Sequence, residues 1–219
     1  MTLSKHFCLT IIFSLALSFS ALAGKPAPTL PRKHIPVPIM MQATDYSCGA
    51  AALLSVLYYW EAYEGTESSL YPMLHTTPEH GTEPGMMASV AKELGLEASF
   101  KEGMTLDELR EGLDRGDTII LDIQAWHEPS TKVSDSPNWR EIWEDGHYVV
   151  LIAMDKTNAY FMDSSAGISY GFIPIPELLD RWHDFEDRNG RMWRYYNLGI
   201  TISGKKPIKK FPDALVRIE

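Results

Sequence analysis

The order of the apolar patterns along the chain restricts its fold more than any other feature. Helical patterns come first and strand patterns later. Residues 47–63, SCGAAALLSVLYYWEAY, are rich in good helix formers. Residues 83–94, EPGMMASVAKEL, read as a helix with Pro84 in its first turn and Gly95 just past its end. Residues 105–113, TLDELREGL, open with Thr105 and Glu108 at capping-box spacing. From residue 118 the period shortens: strands are expected over 118–124, 147–154 and 159–163. The last two flank Asp155-Lys156-Thr157-Asn158, a hairpin turn. Strands are also expected over 169–175 and 195–203, with a helix over 175–185 between them. Helices segregated from strands make the class α+β.

The ends read differently. Residues 1–23 have a short positive start at Lys5, an apolar stretch from Phe7 to Phe19, and Ala21-Leu22-Ala23 before Gly24. This is the pattern of a cleaved signal peptide; a single-pass anchor is the other reading, but the run is short for a membrane span. Export to a bacterial periplasm or to the outside is therefore expected, with no stable membrane anchor after cleavage. Residues 24–39 hold five prolines and no acid, an extended arm. Residues 40–205 form the expected domain and 206–219 a basic tail.

Charge weighs against one class of function. With 20 basic and 29 acidic residues the net charge is −9, which disfavours a nucleic-acid binder. The run 205–219 and the arm each carry +3, so residues 40–204 carry 11 − 27 = −16. That acidity fits a solvated face or a cationic partner.

Only two cysteines occur, Cys8 and Cys48. Signal cleavage removes Cys8, which leaves one thiol for an oxidising compartment, a liability unless buried or used. Cys48 opens a helix, where unpaired amides and the positive dipole end favour a thiolate. A buried small hydrophobe is the alternative for such a cysteine. Gln42, six residues earlier, can donate an N–H to the oxyanion formed when a thiolate attacks an amide, with the Cys48 amide as second donor.

The run Gln42…Cys48-Gly49-Ala50-Ala51 resembles the active-site entrance of C39-type cysteine peptidases, a papain-like branch. That family includes the peptidase domains of bacteriocin-exporting transporters and free-standing exported relatives. Asp145-Gly146-His147-Tyr148-Val149-Val150-Leu151-Ile152 resembles its histidine-bearing strand, and Phe161-Met162-Asp163-Ser164-Ser165 the strand end with its aspartate. The resemblance spans about residues 40–205. It implies a papain-like fold, an N-terminal helical part packed on a C-terminal antiparallel sheet. One departure is Ser47, where the family often has an acid. No ATP-binding cassette follows in this sequence, so a stand-alone relative is expected.

Among the histidines outside the signal, His147 stands apart because it opens a very apolar strand, a rigid mount for a general base. Asp163 lies on the returning limb of the hairpin and can orient the imidazole. A turn-initiating residue before Ser164 and Ser165 is its other reading. The expected activity is an exported cysteine peptidase acting on a peptide or protein, with Cys48, His147, Asp163 and Gln42 as its site. Cleavage after small residues such as Gly-Gly is implied by the resemblance alone. An inactive peptide-binding module and an acyltransferase are the alternatives.

No cofactor is expected. His127, Glu128, Asp135, Glu144 and Asp145 match no compact ligand spacing, so no metal is expected either. Trp139 and Trp143, one helical turn apart, are expected to pack on the body, and Trp182-His183-Asp184 to lie on a helix.

Overall fold

A computed structural model describes residues 28–126, 138–188, 190–205 and 207. The expected signal segment, nearly all of the basic tail, and His127, Glu128 and Asp135 lie outside the described residues.

Three helices come first: α1 (Cys48–Tyr59), α2 (Glu67–Leu74) and α3 (Pro84–Glu93). Strand β1 (Glu97–Lys101) and helix α4 (Leu106–Arg115) follow. Next are β2 (Thr118–Gln124), a 3-10 turn at Trp139–Glu141, β3 (Gly146–Met154), β4 (Asn158–Asp163) and β5 (Gly171–Pro174). Helix α5 (Ile175–Arg181), β6 (His183–Arg188), β7 (Arg191–Tyr196) and β8 (Gly199–Ser203) complete the elements of the described residues. Six strands form one antiparallel sheet in the order β1-β8-β2-β3-β4-β5, and β6 and β7 pair separately.

Both faces of the sheet are covered. Ile120, Val150, Ile152, Met162 and Ile200 pack toward α1 and α3. The alternating set, Ile119, Leu121, Val149, Leu151 and Phe161, packs with Leu109 of α4 and Leu178 of α5. Burial on both faces explains why β2 and β3 read as nearly continuous apolar runs. The mixed class is as expected, with α4 and α5 layered on the face opposite α1.

Thr105 and Glu108 form the capping box at α4, and Gly116 ends that helix at φ 89°, the left-handed conformation that favours glycine. Four details differ from the sequence expectation. Helix α1 stops at Tyr59 rather than at residue 63; Glu61 turns the chain at φ 52°. Helix α2 forms despite Pro72, with the Thr66 side chain accepting from the Ser69 amide. The expected helix over 175–185 ends at Arg181. His183 and Asp184 pair with Tyr196 and Tyr195 instead, so they lie on a strand. The buried Trp182 indole donates to Leu198 O (2.7 Å), fixing that change of direction. Finally, the 195–203 strand is broken at Asn197, φ 49°, between β7 and β8.

The described part of the proline-rich arm, residues 28–39, forms no helix or strand, and from Ile35 onward it belongs to the packed body. Ile35 and Val37 are buried. The Ile35 amide donates to Ile152 O (2.9 Å), Ser55 Oγ to Pro38 O (2.6 Å) and Tyr170 Oη to Val37 O (2.6 Å). Trp139 and Trp143 pack as expected: Arg181 lies 4.1 Å over the first ring, and the His183 ring 4.4 Å from the second.

Candidate active site

Cys48 is the first residue of α1 and is half-buried with a free thiol. The first helical bond runs from the Ala51 amide to Ser47 O (3.0 Å), so the amides of Cys48, Gly49 and Ala50 precede the helical ladder. Ser47 explains its own departure from the resemblance. It is fully buried, and its hydroxyl accepts from the Thr44 amide (3.1 Å) and donates to Thr44 O (3.3 Å). A carboxylate buried there would need partners of its own.

His147 is buried near the start of β3, and its Nε2 meets Asp163 Oδ1 at 2.8 Å. Asp163 Oδ1 also accepts from the Ser165 amide (2.8 Å). With Nε2 occupied, Nδ1 is the nitrogen left for the thiol. Burial works against a charged ring, but hydrogen bonds to Asp163 and to Cys48, with the charge of both, hold His147 up at about 9. Burial likewise pushes the Asp163 carboxyl up, yet the hydrogen bond and charge of His147 leave it below its ordinary value. The ring, held between a sulfur and an orienting carboxylate, is therefore placed to take a proton from the sulfur and return it elsewhere.

Gln42 sits beside this pair. Its Nε2 donates to Thr44 O (2.7 Å), its Oε1 accepts from Ser164 Oγ (2.9 Å) and Ser165 Oγ (2.7 Å), and its amide donates to Ser164 O (3.1 Å). All four residues singled out from the sequence thus gather where α1 meets the β3 and β4 ends.

Other groups at this place have weaker sequence signals. Asp122 is a lone acid within the apolar strand TIILDIQ, and it is fully buried. Burial, then the neighbouring Asp184, pushes its carboxyl well above the ordinary range. Gln124 ties β2 to β6 and to the chain just before β3. Its Nε2 donates to Asp184 Oδ1 (2.9 Å) and His183 O (3.1 Å), and its Oε1 accepts from the Asp145 amide (3.0 Å). The Asp184 carboxylate lies against Gly146 where a Cβ would stand. Trp126 meets the His147 ring edge-on at 5.8 Å, exposed and at φ 60°, a strained conformation for a bulky residue. Nothing in the sequence marked it. No group of three or more potential metal-ligating side chains converges among the described residues.

Solved structures share the fold. A double glycine motif protease from an AMS/PCAT transporter, solved with its leader peptide, is 20% identical with a TM-score of 0.51, over 80% of this chain and 96% of that one. A putative C39-like peptidase from Bacillus anthracis is 16% identical with a TM-score of 0.57, over 79% and 98%. The peptidase domain of Streptococcus ComA, a bifunctional ABC transporter in a quorum-sensing pathway, is 16% identical with a TM-score of 0.53, over 77% and 99%. The fold is thus that of papain-like C39 peptidase domains. A comparison with curated protein sequences gives no match. Residues 34–188 match the Peptidase_C39 like family, well over half of the chain, and the protein belongs to that family.

Proposed function

We propose that the protein is an exported cysteine peptidase that cleaves a peptide or protein through Cys48, His147, Asp163 and Gln42. The observation that carries this reading is the shared histidine. Asp163 holds one ring nitrogen at 2.8 Å, and the Cys48 thiol acts on the same ring. In the mechanism, His147 takes the thiol proton and the sulfur attacks the scissile carbonyl, forming the C–S bond. The negative oxygen of the tetrahedral intermediate meets the Cys48 amide and the second Gln42 amide hydrogen. His147 then gives its proton to the leaving amine as the C–N bond breaks. Water hydrolyses the thioester, releasing the acid and restoring the thiol. Asp163 orients the ring throughout and stabilises its charged form.

A peptide substrate draws support from the double glycine motif protease solved with a leader peptide. Cleavage after small residues such as Gly-Gly belongs to the same proposal. Export rests on the signal pattern of residues 1–23. A mature N-terminus at Gly24 in the periplasmic or secreted fraction tests it.

The test of chemistry is Cys48→Ala on a peptide library read by mass spectrometry. Wild-type protein is expected to yield free carboxyl termini and to be labelled at Cys48 by an acyl probe; the variant should do neither. Equal cleavage by the variant overturns the proposal. Products joined to an added amine would point to acyl transfer.

A further inference from the structure

A glutamine amide serves an oxyanion only in one of its two orientations. Its NH2 group stabilises the negative oxygen, whereas its carbonyl would repel it. Thr44 O settles the orientation of Gln42, because a backbone carbonyl only accepts and so must face Nε2, at 2.7 Å. The opposite end is then an acceptor. Two hydroxyls converge on it: Ser164 Oγ at 2.9 Å and Ser165 Oγ at 2.7 Å. Ser164 is fully buried, and its carbonyl also receives the Gln42 amide at 3.1 Å. Two donors on a carbonyl oxygen draw electron density from the amide nitrogen and strengthen the remaining N–H as a donor.

These serines directly follow Asp163, and the Ser165 amide donates to the carboxylate oxygen that holds His147. One short turn therefore holds both the orienting acid and the glutamine. We infer that Ser164 and Ser165 are positioning residues for the oxyanion donor, fixing the orientation of the Gln42 amide and tying it to the turn that orients His147. The inference rests on the peptidase reading. Neither serine touches the substrate; both act through Gln42.

Two reactions of Cys48 separate this role from general support. Alkylation by iodoacetamide displaces iodide at a saturated carbon and forms no oxyanion. Acylation by an N-acyl-glycine p-nitrophenyl ester does form one. In Ser165→Ala and in Ser164→Ala/Ser165→Ala, acylation is expected to fall about tenfold or more while alkylation changes less than about twofold. Ser165→Thr keeps the hydroxyl and is expected to restore acylation. Unchanged alkylation in each variant shows that the thiol and imidazole are intact and that the protein has folded. The inference is overturned if acylation is unchanged in both serine-to-alanine variants, or if alkylation falls in parallel with it. If wild-type protein is not acylated above the Cys48→Ala background, the peptidase reading fails and the inference with it.

Discussion

Val149 pairs with Asp163 across the β3–β4 ladder, and that pairing exists only because Ile152 has no partner on β4. Near the turn, Met154 faces Ala159 and Ala153 faces Tyr160. Counting on without interruption would set Val150 opposite Asp163 and turn His147 to the face of the sheet away from that carboxylate. The bulge between Leu151 and Ala153 advances β3 by one residue, and Asp163 lands opposite Val149. His147 is two residues from Val149, so it shares that face and stands diagonal to Asp163. The turn end is pinned separately by Asp155, whose carboxylate accepts from the Thr157 and Asn158 amides, both at 2.7 Å.

The carbonyl of the bulged Ile152 is taken by the Ile35 amide at 2.9 Å. Ile35→Pro removes that donor from the arm. Stability is expected to fall by about 1–3 kcal/mol in urea unfolding, the cost of an unsatisfied buried polar group. Peptidase activity should fall further than the folded fraction does, because the bulge sets the Asp163 register. Unchanged stability and activity would show that the arm does not support the bulge.

A second expectation concerns pH. With His147 at about 9, the alkaline limb of kcat/KM is expected near pH 9, where the leaving amine loses its proton donor. Asp163→Asn removes the charge that raises the ring while burial continues to lower it, so the limb should move to lower pH. An unmoved limb would assign it to another group. Stability follows the same linkage. The raised His147 contributes fully below its ordinary 6.5, and that contribution is lost as pH rises through about 9. The lowered Asp163 contributes above its ordinary 3.8, and its contribution is lost as pH falls through its lowered value.

Asp122 behaves in the opposite sense. A carboxyl raised above its ordinary 3.8 is most compatible with folding below that pH, and the benefit is lost as pH rises through the raised value. Asp122→Asn removes this penalty and still offers a donor to Asp184. At pH 7.5 the variant is expected to be more stable by about 1–3 kcal/mol, with the gain vanishing near pH 3.5. Chemical denaturation at the two pH values checks this. A loss of stability at pH 7.5 would mean that the ionised carboxylate has a structural role.

Gly146→Ala tests the packing behind the histidine. The new methyl would meet the Asp184 carboxylate, which Gln124 holds at 2.9 Å. Overpacking of this kind is expected to cost about 1–3 kcal/mol. It should also slow Cys48 acylation by displacing the start of β3. Wild-type acylation would show that His147 is insensitive to the backbone before it.

Cys48, His147, Asp163 and Gln42 can be picked out as candidates from the chain alone, with Cys48 on a helix and His147 and Asp163 on strands, where the structure also has them. Cys48 stands out as a cysteine opening an alanine-rich helix. His147 stands out as the polar start of an apolar strand. Both signals are local, a matter of composition and period over a few residues. Local reading also explains what was missed. Residues 175–185 contain enough helix formers to hide the strand beginning at His183, which exists because Tyr196 pairs with it. Trp126 left no signal at all, since its place beside His147 depends on where β2 ends relative to β3.

Everything that depends on counting across strands or around turns required the packed chain. Whether Asp163 faces His147 hangs on one unmatched residue, because each single-residue slip turns a side chain to the opposite face of a sheet. Whether Gln42 presents its amide or its carbonyl hangs on Thr44, Ser164 and Ser165, and the two serines lie 122 and 123 positions away in the chain. Hydrogen-bond partners so distant leave no periodic trace in a sequence, since only tertiary packing brings them within reach.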